Sequence, residues 1–86
     1  MPVGQVSDDA RRLMEVTENA LWASVRILEE RADLAARLAR RAQEHDAPRS
    51  EGYFRKRAHE SHSAAEAVRT LIFRAQALAG EDEPAP

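Results

Sequence analysis

His59, His62 and Glu66 are the residues whose types and spacing come nearest to chemistry. On a helix, steps of three and four put two imidazoles and a carboxylate on one flank, a competent ligand set for zinc or a similar ion. Di-metal helical bundles use Glu-x-x-His, however, and no glutamate here has a histidine three residues on; Glu60 meets Ser63 at that spacing. The trio therefore reads as a solvated flank, with Glu66 pairing with His62 or reaching Arg31 across a hairpin, and no metal or other cofactor is expected. The serines, Ser7, Ser24, Ser50, Ser61 and Ser63, occupy no strand-to-helix elbow or Gly-rich turn that would expose a nucleophile. Ser24 and Ser61 are expected on the inward sides of helices, returning their hydroxyls to the backbone one turn earlier. Three glycines cannot supply a phosphate-cradling loop, so the chain is expected not to be an enzyme.

A basic cluster is the second candidate. Arg37, Arg40 and Arg41 precede Pro48, and Arg55, Lys56 and Arg57 follow it, with Tyr53 and Phe54 among them. Between residues 37 and 57, seven Lys/Arg against three acids give a net +4, while the rest of the chain carries −6. Such a patch suits an acidic protein, or nucleic acid with the aromatics stacking on bases. The total charge of −2 and the i,i+4 spacings Arg40 to Glu44 and Asp33 to Arg37 favour a charge-laced helix end instead, and nucleic acid is not the expected partner.

These groups sit on two helices. Ser7 is a good N-cap followed by Asp8 and Asp9, and no Gly or Pro interrupts the run from Ala10 to His45. Pro48 disfavours the helical conformation at the residue before it, and Asp46 or Ser50 can cap a second helix that stops at Gly80. The expected layout is a flexible N-terminus at 1–6, a helical hairpin over 7–79 (helix 7–45, turn 46–49, helix 50–79) and a disordered acidic, Pro-rich tail at 80–86. A turn this short joins antiparallel neighbours.

Periodicity says what each helix buries. Phe54, Ala58, Ser61, Ala65, Val68, Ile72, Ala75 and Ala79 alternate steps of four and three, the spacing of a coiled-coil seam, which Leu71 and Leu78 widen. In the first helix Met14, Leu21, Leu28, Ala35 and Ala42 recur every seven, flanked on one side by Val25, Ala32 and Ala39. On the other side lie Leu13, Ala20, Ile27 and Leu34. The polar stripe of Arg12, Asn19, Arg26, Asp33 and Arg40 is narrow by comparison, and one neighbouring helix cannot cover so broad an apolar arc. An all-α hairpin that dimerises into an antiparallel four-helix bundle is therefore expected. Its interface is assigned to Leu21, Trp22, Val25, Leu28, Val68, Leu71 and Ile72.

The stretch from Ala20 to Ile72 resembles the helical segment at the C-terminal end of many CheB-type chemotaxis methylesterases. The resemblance lies in Ala20-Leu21-Trp22, in Arg26 with Leu28-Glu29-Glu30-Arg31-Ala32, and in Leu34-Ala35 with Arg37-Leu38-Ala39. The preceding VGQVSDDARRLM is similar to that family's Val-Gly-His entry into the first helix, with Gln5 in place of the histidine and no cysteine before it, so a metal role of that piece is not implied. The family's methylesterase triad and receiver domain do not fit in 86 residues. Over residues 3–78 the resemblance implies a free-standing helical association module of bacterial chemosensory or two-component signalling, and no esterase activity.

No cysteine is available for disulfides, no leader-like segment opens the chain, and no apolar run approaches the roughly 20 residues of a membrane span. A cytoplasmic protein with no membrane contact is expected. Its partners would be itself, as a homodimer or higher assembly, and a signalling protein. The remaining alternatives are a small metal-binding bundle using His59, His62 and Glu66, and a regulator holding an acidic partner or nucleic acid at the basic turn.

Overall fold

A computed structural model describes residues 3–82. The chain folds as two helices, α1 (Val3–Glu44) and α2 (Pro48–Asp82), packed side by side with no strand among the described residues. α1 starts four residues before Ser7, which lies within the helix and is not its N-cap. Gly4 inside the helix costs about 1 kcal/mol, less than the long Ala/Leu/Arg/Glu run behind it recovers by propagation. At the other end α2 runs through Gly80, which has no positive φ and so is not a left-handed stop. The tail expected at 80–86 therefore begins as helix, and residues 1–2 and 83–86 lie outside the described residues.

The turn is three residues, 45–47, rather than the expected 46–49, so α2 starts two residues before Ser50. Ala47 N–H donates to the Ala42 carbonyl at 2.8 Å and Asp46 N–H to the Gln43 carbonyl at 3.2 Å, the paired bonds of a Schellman motif. That motif needs its C′ residue in the left-handed region, and Asp46 sits there with φ 55°. Its short polar side chain makes it one of the few non-glycine residues that tolerate the conformation. Pro48 opens α2 at the position where its missing N–H costs nothing, and Ala47, whose carbonyl accepts from Glu51 N–H at 2.9 Å, is the cap residue. Asp46→Gly removes the left-handed penalty and is expected to stabilise the hairpin by about 0.5 kcal/mol, net of glycine's greater freedom when unfolded. That is a rise of roughly 2–4 °C in a thermal melt at fixed protein concentration.

The seam uses the steps of four and three on both helices. α1 contributes Leu21, Val25, Leu28, Ala32, Ala35, Ala39 and Ala42; α2 contributes Phe54, Ala58, Ser61, Ala65, Val68 and Ile72. Among the described residues Val25, Ala35, Ala39, Ala42, Ala65 and Ile72 are buried, and the tightest cluster joins Val25, Ala65 and Ile72, flanked by Leu21, Trp22, Leu28 and Val68. Near the turn the buried residues are alanines, which let the two backbones approach closely; the larger side chains pack toward the open end.

The result is a plank, 66 × 23 × 15 Å, two helices wide and one helix deep. Its accessible surface is 7163 Å² for 9.6 kDa, where a compact monomer of that mass exposes about 5,100 Å². No helix is long and apolar enough to cross a membrane among the described residues.

Candidate interaction surface

The seam divides the plank into two unlike sides. On one, polar groups bridge the helices: Arg69 donates to Glu29 and, at 3.0 Å, to Glu66 on its own helix; Arg55 Nη2 reaches Gln43 Oε1 at 3.4 Å; Gln76 Nε2 donates to Glu18 Oε1 at 2.8 Å. Trp22 and Phe73 meet edge to face there, ring centroids 6.0 Å apart, an arrangement worth about 1 kcal/mol beyond the area it covers. The stripe of Arg12, Asn19, Arg26, Asp33 and Arg40 lies exposed beyond these bridges. Arg69 and Glu29 side chains are 36% and 40% exposed, so solvent screens the pair, and Arg69→Ala is expected to cost less than about 1 kcal/mol in a urea melt, with the difference shrinking at high salt.

The opposite side is richer in exposed aliphatic residues and has no such bridge between the helices among the described residues. Arg31, Leu34, Leu38, Tyr53 and Arg57 line one shallow cleft there. Steps of seven from Leu34 give Ile27, Ala20 and Leu13 on α1, and steps of seven from Arg57 give Ala64, Leu71 and Leu78 on α2, so these share that side. Leu13, Ile27, Leu34, Leu71 and Leu78 are each at least half exposed. At the open end the seam itself gapes: Leu13, Met14, Leu21, Ile72 and Ala75 line an open cleft of about 320 Å³. Exposed apolar stripes of this extent are larger than the single hydrophobic residues scattered over an ordinary protein surface, although Arg31 and Arg57 interrupt this one.

The expected site residues fall differently on this frame. Of the residues assigned to a dimer interface, Leu21, Trp22, Val25, Leu28, Val68 and Ile72 pack together within the chain, Val25 and Ile72 buried and the other four half-buried, and Leu71 is exposed. The large aliphatic residues exposed on the apolar side are Leu13, Ile27, Leu34, Leu71 and Leu78. The signal was present as the second apolar flank of α1, at Leu13, Ala20, Ile27 and Leu34.

His59, His62 and Glu66 are all exposed, and no cluster of three ligating side chains occurs among the described residues. Glu66 is held by Arg69, three residues on, and pairs with neither His62 nor Arg31, which lies on the apolar side. Ser24 returns its hydroxyl to the Ala20 carbonyl at 3.0 Å, but from an exposed position; Ser61 is half-buried in the seam.

The basic residues do not form one face. Arg40 and Arg55 share a shallow cleft with Ala36, Ala39 and Ala58, whereas Arg57 lies across the seam beside Arg31. Arg55 is 3.6 Å from Glu51 and Arg57 is 3.9 Å from Glu60; Arg37 bonds the Asp33 carbonyl and not its carboxylate, and no Arg40–Glu44 pair forms among the described residues. Tyr53 is occupied: its hydroxyl accepts from Arg57 Nε at 3.1 Å, the guanidinium stands 5.4 Å from its ring centre, and Phe54 meets it edge-on. That hydrogen bond, and then the charge interaction with Tyr53, raises the Arg57 pKa above an already high value. A raised pKa contributes stability below the unfolded value and loses it only as pH climbs through the folded one, so this contact is constant through the neutral range.

No protein-family model matches the chain, nor does any curated protein or solved structure.

Proposed function

We propose that this chain is a non-catalytic association module whose apolar side binds a second helical surface, and that two copies close into a four-helix bundle. The observation that carries the reading is the contrast between the two sides of one seam: polar bridges on one, and Leu13, Ile27, Leu34, Leu71 and Leu78 on the other. A plank one helix deep has no second layer of its own, and layered packing is how a helical domain normally covers such a stripe.

The apolar stripe between Leu38 and Leu13 is about 38 Å long at 1.5 Å per residue. Across the plank's 23 Å width it offers roughly 800 Å² per protomer, the size of a standard stable interface. The test is a pair of variants on opposite sides, Leu34→Asp and Arg26→Asp, measured for mass by light scattering. The reading expects association to be lost in the first and kept in the second; equal behaviour of the two would remove it.

Placement in bacterial chemosensory signalling, in the cytoplasm, rests on the sequence resemblance over residues 3–78 alone. Binding of the immobilised chain to a purified chemotaxis methylesterase tests that placement separately, and no binding at micromolar concentrations would withdraw it.

A further inference from the structure

We infer that the second copy lies end over end on the first, its turn against the partner's open end, about a twofold axis at the height of Ala67. This rests on the self-association proposed above and adds its direction and register.

Charge sets the direction. The turn end carries the basic excess of residues 37–57, whereas the open end carries Asp8, Asp9, Glu15 and Glu18 on α1 against Arg11 and Arg12. A side-by-side dimer with both turns at one end would stack the two basic ends and the two acidic ends. Reversal puts each basic end beside an acidic one, and like charges across a contact are costly where opposite charges are not.

Shape sets the register. The Glu29–Arg69 bridge shows that residue 29 of α1 and the stretch around 67–69 of α2 stand at one height along the plank. A twofold axis through that height, perpendicular to the rod, lays α2 on α2 and α1 on α1 in opposite directions. On α2 it sets Leu71 against Ala64 of the partner subunit and Arg74 against Glu60 of the partner subunit. On α1 it sets Leu38 against Ala20 of the partner subunit. Leu71 and Leu38 thus meet alanines, Arg74 meets a carboxylate, and the Glu29–Arg69 bridge shows that the two helices reach this register at one height.

The chain has no cysteine, so single labels can be placed without interference. Lys56, Ser63 and Thr70 are exposed, seven residues apart on one outward strip of α2, and away from both the seam and the apolar side. Spin labels on Lys56→Cys, Ser63→Cys and Thr70→Cys in the full chain give intersubunit distances by pulsed electron resonance. The end-over-end dimer predicts the shortest distances at Ser63 and Thr70, on either side of the axis, and a Lys56 pair whose separation along the rod is greater by about 20 Å at 1.5 Å per residue. Equal distances at all three positions would overturn the direction, because a dimer with its turns together keeps every pair at the same height. The absence of any intersubunit distance at all three would overturn the self-association beneath it.

Discussion

Leu34→Asp is expected to weaken self-association at least a hundredfold and to lower the thermal midpoint while leaving the helical hairpin intact. Leu34 is 53% exposed in the single chain, so the substitution removes little from the intrachain seam. In the dimer it places a carboxylate in an apolar contact with no cation on the same stripe closer than Arg31. Arg31 and Arg57 line the same cleft but are exposed, so desolvating the two symmetric carboxylates still costs about 3 kcal/mol in all; each 1.4 kcal/mol is tenfold in affinity. The midpoint falls because a partner that binds only the folded chain stabilises it by mass action, and that contribution disappears with the dimer. Sedimentation velocity gives the association constant and circular dichroism the helix; a variant that dimerises like the parent would show that Leu34 faces solvent in the assembly too.

The second large effect is one residue away from a near-silent one. Ile72 is 1% exposed and packs with Val25 and Ala65, so Ile72→Ala is expected to cost about 3 kcal/mol of folding free energy through lost burial and the cavity left behind. A domain this small, whose core among the described residues is mostly alanine, has little in reserve, and that loss leaves a large unfolded fraction at room temperature. Leu71, 57% exposed on the adjacent flank, is expected to change chain folding by less than about 1 kcal/mol when made Ala, and to weaken association instead. Urea melts in a Leu34→Asp background isolate the chain from its dimer and separate the two neighbours.

Much of this frame was legible in the sequence. The α2 seam from Phe54 to Ile72 follows from the alternation of four and three, and Pro48 places the turn to within two residues. α1 was ambiguous because two apolar flanks compete beside Leu21, Leu28 and Ala35. Size favours Ile27 and Leu34 for burial, but the chain buries Val25, Ala35 and Ala39. These interleave with the heptad leucines in steps of four and three, whereas Ile27 and Leu34 stand one residue from it and project sideways. That choice also explains why most of the expected dimer residues turned out to hold the chain to itself: the strongest apolar periodicity is used first by the nearest helix.

The turn departs from the expected 46–49 for a local reason. Asp46 has the chemistry of an N-cap, yet in place it closes α1 in the left-handed conformation while Pro48 starts α2 without a side-chain cap. Choosing between those roles needs the backbone bonds to Ala42 and Gln43, which no residue type specifies. Likewise, the spacing of His59, His62 and Glu66 was correct for one flank, but Arg69, three residues beyond Glu66, competes for the carboxylate and wins by charge.

Mass by sedimentation equilibrium over a dilution series of the unmodified chain tests the central claim most directly, because the claim is that the apolar side is covered by a second copy. The account predicts a reversible dimer of twice 9.6 kDa, dissociating toward the single-chain mass only on dilution. A single-chain mass at every concentration, with a cooperative melt whose midpoint does not move with dilution, would contradict it.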